Sequence, residues 1–84
     1  MLAKVKFSLN SNRTYDYETD IRNLKKFDCI LVETQNGEEI AFFERYILDE
    51  DLAYDGELSK ILERLDLNDE ATLNRIREIK KRCN

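Results

Sequence analysis

Apolar and polar residues alternate strictly near the start of the chain. Residues 3–9 read Ala-Lys-Val-Lys-Phe-Ser-Leu, the pattern of a strand with one buried face. Turn-forming residues occupy positions 10–13. Thr14, Tyr15 and Tyr17 then favour a second strand with both tyrosines on one face. The pattern predicts two short strands joined by a turn.

A β-hairpin is predicted in the middle of the chain. The run from Cys29 to Thr34 is rich in apolar and β-branched residues, as expected for a strand that is covered on both faces. Asn36 and Gly37 follow, a pair that favours a type I′ turn with positive φ at both central residues. The returning strand is expected from about Glu38 to Ile47.

Two polar connections link the predicted elements. The loop from Glu18 to Asp28 contains three apolar residues that we expect to tuck under the edge of the sheet: Ile21, Leu24 and Phe27. The second connection, residues 49–57, is acidic. Its carboxylates suggest a calcium loop, but Ala53 stands where an oxygen ligand belongs and Gly56 comes too late for the turn. A solvated acidic loop is the favoured interpretation.

The last third of the chain contains a helix and one ambiguous segment. The apolar residues of the ambiguous segment fall at i, i+3, i+4 and i+7, and they are Leu58, Ile61, Leu62 and Leu65. This spacing is helical, but the segment is short enough to be a strand, and both interpretations stay open. A terminal helix is predicted from about Asp69 to Arg82, with Asn68 as its cap.

These elements predict an α+β fold. We expect a small curled antiparallel sheet or barrel of four to five strands with a C-terminal α-helix. The 84 residues form one domain, since no Pro and only two Gly interrupt them. Within it, residues 1–48 are β-rich, residues 49–57 form the acidic connection, and residues 58–84 hold a strand or short helix plus the terminal helix.

Composition argues against an enzyme. The chain has no histidine, which removes the usual base of a serine or cysteine nucleophile. Cys29 lies among apolar neighbours that favour a buried structural thiol, and Cys83 lies next to the C-terminus. With two glycines in the chain, no glycine-rich phosphate cradle is present. We therefore expect no catalytic residues, no metal and no cofactor.

Two sets of residues are candidates for an interaction surface. Basic residues concentrate in the predicted helix, at Arg75, Arg77, Lys80, Lys81 and Arg82. They could contact phosphates, although cations at a helix C-terminus are also what the helix dipole favours. The aromatic residues Tyr15, Tyr17, Phe42, Phe43 and Tyr46 could form a base-stacking platform. Core and sheet packing explains them more simply, because the chain has few other large side chains.

The hairpin resembles part of a known family. Val32-Glu33-Thr34, followed by Gly37 and Glu39, reproduces the V-E-T-x-x-G-x-E pattern of the polymerase-suppressor C-terminal domain family, which includes bacterial stage-zero sporulation regulators. The similarity covers most of this chain but only the N-terminal half of the family domain. The family's iron–sulfur cysteines have no counterpart in this sequence, so cluster binding is not carried over. Phe27 and Ala41 stand where the family commonly has glycine.

The resemblance implies a strand at residues 58–65, but the family's regulation of phosphorelay or messenger-RNA processing is not carried over. The net charge of −4 favours a protein-binding adaptor or regulator, and a stand-alone relative of this family is one form of that hypothesis. Another form is an inhibitor of a nucleic-acid-handling complex, as mobile elements often encode. The alternative is a small nucleic-acid-binding barrel that uses the basic helix, which the net charge disfavours. No apolar run could span a bilayer, so we expect a cytoplasmic protein with no membrane contact. The sequence leaves the oligomeric state open.

Overall fold

Five strands and one helix make up the described part of the chain. The computed structural model describes residues 1–48 and 58–82. Its elements are β1 (Leu2–Lys6), β2 (Tyr15–Glu18), β3 (Cys29–Thr34), β4 (Gly37–Ile47), β5 (Ile61–Arg64) and α1 (Glu70–Arg82). The α+β class and the C-terminal helix are confirmed.

The strands form one antiparallel sheet in the order β2-β1-β4-β3-β5. Its two edges meet at a single parallel bridge between Glu18 and Lys60, where the Glu18 amide donates to the Ser59 carbonyl at 2.9 Å. The sheet therefore curls until its edge strands touch at one point. It is not closed as a barrel, so the curled-sheet form of the prediction is the one found.

A bulge in β4 bends the sheet. The first half of β4 pairs with β3, and its second half pairs with β1. Lys4 lies opposite Arg45, whereas Val5 lies opposite Phe43, which leaves Glu44 as an additional residue. A bulge of this kind increases the local twist and bends its strand. It allows the 11-residue strand to serve two sides of a strongly curved sheet.

Two clusters of buried side chains lie on opposite faces of the sheet. The inner cluster lies within the curl and consists of Ala3, Val5, Tyr17, Leu24, Ile30, Val32, Ala41, Phe43 and Ile61. The outer cluster lies beneath α1 and consists of Cys29, Leu31, Leu65, Ile76 and Ile79, with Ile40 and Phe42 packed against it. β3 contributes alternate residues to both clusters, which confirms that this strand is covered on both faces.

The β3–β4 hairpin is confirmed, but its predicted turn type is wrong. Thr34 pairs with Gly37, so the two turn residues are Gln35 and Asn36. Positive φ occurs at Gly37 (101°) and not at Asn36, whereas a type I′ turn centred on Asn36 and Gly37 needs it at both. The Thr34 hydroxyl accepts from the Asn36 amide at 3.1 Å and donates to the Gly37 carbonyl at 3.0 Å, which fixes the turn one residue earlier.

The loop before β3 corrects a second expectation. Leu24 is buried and Ile21 packs against the inner cluster, as predicted. Phe27 is 60% exposed and has a φ of 75°. It occupies the third position of a tight turn in which the Asp28 amide donates to the Lys25 carbonyl at 2.9 Å, a position that requires positive φ in a type II turn. This backbone geometry turns the Phe27 side chain outward.

The C-terminal segment resolves the remaining alternatives. Residues Ile61–Arg64 form a strand that pairs with β3, so the helical alternative for this segment is wrong. The cap of α1 is Asp69 and not Asn68. The Asp69 carboxylate accepts hydrogen bonds from the amide and hydroxyl of Thr72 at 3.2 and 2.7 Å, which is the N-cap geometry.

Candidate functional site

An open cleft lies where the edges of β2 and β5 diverge beyond their single bridge. Its volume is about 470 Å³, and its lining residues are Phe7, Tyr15, Tyr17, Thr34, Gln35, Asn36, Glu39 and Ser59. We call it the aromatic cleft. The β3–β4 turn forms one rim, and the aromatic side chains of the β1–β2 region form the other. Its size falls within the range of ligand sites, roughly 300–1,000 Å³.

Three aromatic rings shape one wall of the aromatic cleft. The ring centroids of Phe7 and Tyr15 are 5.2 Å apart with an interplanar angle of 72°. Those of Phe7 and Tyr17 are 6.3 Å apart at 64°. These edge-to-face arrangements are favoured by the quadrupoles of the rings. Tyr17 is buried, whereas Tyr15 is 38% exposed. The wall is therefore anchored in the core at Tyr17 and accessible at Tyr15.

Among the described residues that line the cleft, Glu39 is the one that carries a charge. It lies opposite Val32 in the register of β3 and β4, so its side chain shares the inner face of the sheet. Burial, and then the nearby charge of Glu39, raises the pKa of the Tyr17 phenol. Tyr17 is consequently a neutral hydroxyl at physiological pH, able to donate a hydrogen bond beside a carboxylate.

The predicted aromatic candidates do not share one surface. Phe43 lies in the inner cluster, and Phe42 packs beneath α1. Tyr46 is exposed, but its ring packs against that of Phe43 and its hydroxyl accepts a hydrogen bond from the Leu24 amide at 3.0 Å. Only Tyr15 and Tyr17 belong to the aromatic cleft, so the five rings do not form a continuous stacking platform.

Several residues that line the cleft were not predicted from the sequence as interaction residues. Phe7 follows Val5 on the inner face, and the strict alternation of the first strand was a usable signal for its position. The polar turn residues and Glu39 carried no such signal, because each is ordinary for a hairpin. Their proximity to Tyr15 and Tyr17 depends on the curvature of the whole sheet.

Arg75, one of the predicted basic residues, is bound to carboxylates. Its guanidinium lies 2.5 Å from the Glu63 carboxylate on β5 and 3.9 Å from that of Glu38 on β4. Glu33 lies directly opposite Glu38 in the register between β3 and β4, and like charges in this position are destabilising. Arg75 therefore offsets repulsion across the outer face of the sheet and ties α1 to two strands.

Three of the remaining basic residues of α1, Arg77, Lys80 and Lys81, lie on one exposed face of the helix. Arg77 donates to the Asn74 side chain at 3.1 Å, and Lys81 lies 4.0 Å from Glu78. At about 100° per residue, Arg77, Lys80 and Lys81 fall within an arc of about 100°, whereas Arg75 lies about 200° from Arg77 around the axis. Lys80 is exposed, and Arg82 is the last helical residue. Arg75 therefore lies apart from the face that Arg77, Lys80 and Lys81 share.

The candidate thiol is enclosed in the outer cluster. Cys29 is 7% exposed. Burial raises the pKa of its thiol, and the nearby Lys80 opposes that effect in part. A neutral, enclosed thiol is a poor nucleophile. Cys83 and the acidic connection at residues 49–57, on which the calcium alternative falls, lie outside the described residues.

The described residues contain no metal-binding cluster and no membrane-spanning helix. Among residues 1–48 and 58–82, no three side chains of the Cys, Asp and Glu type come together in a way that could hold a metal ion. Over those residues, no helix has the length and apolarity to cross a bilayer.

Comparison with protein-family models, curated proteins and solved structures gives no match to this chain. The aromatic cleft is therefore interpreted from its own chemistry.

Proposed function

We propose that this chain is a non-enzymatic protein-binding adaptor or regulator whose contact surface is the aromatic cleft. The observation that carries the proposal is the composition of the cleft lining. It combines three aromatic rings, hydroxyl and amide side chains and one carboxylate, with no Lys or Arg among its described residues. Aromatic residues are enriched at protein interfaces, whereas a phosphate-binding groove requires cations.

The distribution of charge supports a protein partner over a nucleic acid. Six of the lysines and arginines outside the cleft lie within 4 Å of a carboxylate. The pairs are Lys4–Asp16, Lys6–Glu44, Lys26–Glu44, Arg64–Asp28, Arg75–Glu63 and Lys81–Glu78. Binding phosphates with these cations would require breaking ion pairs in a chain whose net charge is −4. The same acidity suits an inhibitor that blocks a basic protein surface of a nucleic-acid-handling complex.

Two backbone features support a relation to the polymerase-suppressor C-terminal domain family. The segment at Ile61–Arg64 is a strand, as the resemblance implies. Phe27 has a φ of 75°, and it occupies a position where that family commonly has glycine. Because positive φ is the conformation that glycine adopts at little cost, the local geometry agrees with the family pattern even though the residue differs. We propose that the chain is a stand-alone relative of the family's N-terminal half.

A matched pair of variants tests the protein-binding proposal. Tyr15→Ala removes an exposed ring from the cleft, and Leu67→Ala removes an exposed apolar side chain (53% exposed) that is not part of the cleft lining. Circular dichroism should show that both variants fold. We expect a partner captured by the natural chain from native lysate, and identified by mass spectrometry, to bind the Leu67 variant and to lose affinity for the Tyr15 variant. Equal binding of the partner by both variants would show that the aromatic cleft is not the contact surface.

The nucleic-acid alternative has a direct test. Fluorescence anisotropy with labelled single- and double-stranded oligonucleotides at low salt measures binding that phosphate contacts would dominate. We expect no saturable binding. Binding that weakens steeply with salt and disappears when Arg75, Arg77, Lys80, Lys81 and Arg82 are neutralised would replace the proposed function with the alternative.

A further inference from the structure

Glu39 has no counter-ion in the described part of the chain. Six of the thirteen carboxylates there lie within 4 Å of a lysine or arginine. Glu39 is one of the seven that do not, and the one among these seven that lines the cleft. Its neighbour Glu38 is on the opposite face and is paired with Arg75. Glu39 is partly buried among aromatic and amide side chains, where screening by water is reduced. The cleft therefore holds a negative charge that nothing in the described structure neutralises.

The rings around Glu39 are suited to a cation. A lysine ammonium or arginine guanidinium is attracted to the face of an aromatic ring within about 6 Å of its centroid. Tyr15 already shows this behaviour, since the Arg13 guanidinium carbon lies 5.4 Å from its ring centroid. Arg13 is outside the cleft lining, so Phe7 and Tyr17 still line the interior of the cleft. The neutral hydroxyl of Tyr17 adds a polar contact and no competing charge.

We infer that the aromatic cleft binds a lysine or arginine side chain of the protein partner, with Glu39 as its counter-ion and the rings of Phe7, Tyr15 and Tyr17 as its walls. This inference rests on the proposed function and names the chemistry that the cleft selects. Gln35 and Asn36 on the opposite rim supply neutral donors and acceptors for the peptide groups that flank the cationic side chain. An acidic segment is disfavoured because Glu39 repels it.

Blocked tripeptides provide probes of defined charge. Four peptides with a central arginine, lysine, norleucine or glutamate between two glycines are titrated into ¹⁵N-labelled protein and followed by heteronuclear NMR. We expect the arginine and lysine peptides to shift the amide signals of Tyr15, Tyr17 and Glu39. The norleucine peptide, which keeps the aliphatic length of lysine without its charge, should bind at least about tenfold more weakly. The glutamate peptide should cause no shift.

Two carboxylate variants separate a specific counter-ion from general acidity. Glu39→Gln keeps the size of the side chain and removes its charge. Glu33→Gln makes the same change to an exposed residue on the outer face of the sheet, away from the cleft lining. We expect the Glu39 variant to bind the arginine peptide about tenfold more weakly, and the Glu33 variant to bind it like the natural chain.

The peptide titrations and the capture experiment distinguish the cationic side chain from the proposed protein-binding function. Equal affinity for the norleucine and arginine peptides, or unchanged affinity in the Glu39 variant, would overturn the inference and leave a protein-binding cleft in place. Shifts caused only by the glutamate peptide would overturn it as well. If none of the four peptides shifts the cleft signals while the Tyr15 variant still loses the captured partner, the cationic side chain is excluded and the proposed function stands. If that variant also retains the partner, both fail.

Discussion

The backbone amide of Leu24 donates a hydrogen bond to the phenolic oxygen of Tyr46 at 3.0 Å. The same hydroxyl donates toward the carbonyls of Ile21 and Arg22, at 2.7 and 2.9 Å. One side chain on β4 thus satisfies several backbone groups of a loop that has no regular structure of its own. The Tyr46 ring packs against that of Phe43, with the two ring centroids 4.7 Å apart.

Removing that hydroxyl should destabilise the fold measurably. Tyr46→Phe keeps the ring and leaves the Leu24 amide without its partner, which is expected to lower the free energy of unfolding by about 1–2 kcal/mol. Urea denaturation followed by circular dichroism measures the change. Tyr15→Phe is the matched control, because Tyr15 is about as exposed as Tyr46 but its hydroxyl makes no hydrogen bond within the described residues, and its effect should stay within about 0.5 kcal/mol. Equal effects of the two variants would show that the loop is held by other contacts.

The positive φ of Phe27 leads to a second prediction. A side chain in the left-handed region costs roughly 1–2 kcal/mol relative to glycine, and the exposed Phe27 ring gains little from burial. Phe27→Gly is therefore expected to be more stable than Phe27→Ala by about 1 kcal/mol, measured by thermal or urea unfolding. Gly37→Ala is the converse case. It should destabilise the protein because φ is 101° there, although no described atom beyond the two chain neighbours lies within 4 Å of the added carbon.

Equal stability of the two Phe27 variants would contradict this prediction. It would mean that the turn relaxes to negative φ without loss. The hydrogen bonds argue against such relaxation, since the Phe27 amide donates to the Phe43 carbonyl at 2.8 Å and the Lys25 amide donates to the Asp28 carboxylate at 2.8 Å. Changing φ at Phe27 would disturb both.

The elements that could be predicted from the sequence depend on local patterns. Strict alternation located β1, although the strand ends at Lys6 and the last residue of the pattern, Leu9, is exposed. The apolar run at Cys29–Thr34 coincides with β3. The spacing of apolar residues predicted α1, although the predicted cap, Asn68, lies one residue before the observed cap, Asp69. In each case the local pattern of apolar residues indicates whether one face of the element or both faces are buried.

Features that depend on tertiary pairing could not be predicted in this way. The spacing in the segment around Ile61 fits a helix, and pairing with β3 makes it a strand. The aromatic cleft brings Tyr15 close to Gln35 and Ser59, which are far apart in sequence. Their proximity depends on the curl produced at the Glu44 bulge, and no local pattern specifies that curvature.

Glu44 provides a third prediction, on pH dependence. A hydrogen bond from the Lys26 ammonium, helped by one from Lys6 and opposed by burial, holds the pKa of the Glu44 carboxyl below its usual range. A carboxyl with a lowered pKa in the folded state stabilises the fold above its unfolded pKa, and this contribution is lost as the pH falls through the folded value. We expect stability to decrease as the pH drops below about 4, partly because of this group.

The variant Glu44→Gln isolates that contribution. It should be less stable than the natural chain at neutral pH, and its stability should fall less between pH 6 and pH 3, measured by urea denaturation at each pH. Glu70→Gln, a change in the exposed first turn of α1, is the control and should retain the natural pH profile. A Glu44 variant with an unchanged profile would show that the two lysines do not hold this carboxyl in its charged form.

Cys29 gives the last prediction, on thiol reactivity. In a Cys83→Ser background it is the only remaining thiol. Its side chain is buried beneath α1 and burial raises its pKa, so a disulfide reagent can reach a thiolate only when the helix opens. We expect labelling in native buffer to be at least about a hundredfold slower than in denaturing urea at the same pH. Because the raised pKa stabilises the protonated, folded form below the ordinary thiol pKa, this contribution is lost as the pH rises through the folded value, and labelling should accelerate there.

Leu65→Ala, which opens the outer cluster around Cys29, should accelerate labelling in native buffer. Leu67→Ala, at an exposed leucine outside that cluster, should not. Prompt labelling of the folded chain would show instead that Cys29 is accessible and would reopen a catalytic role for it.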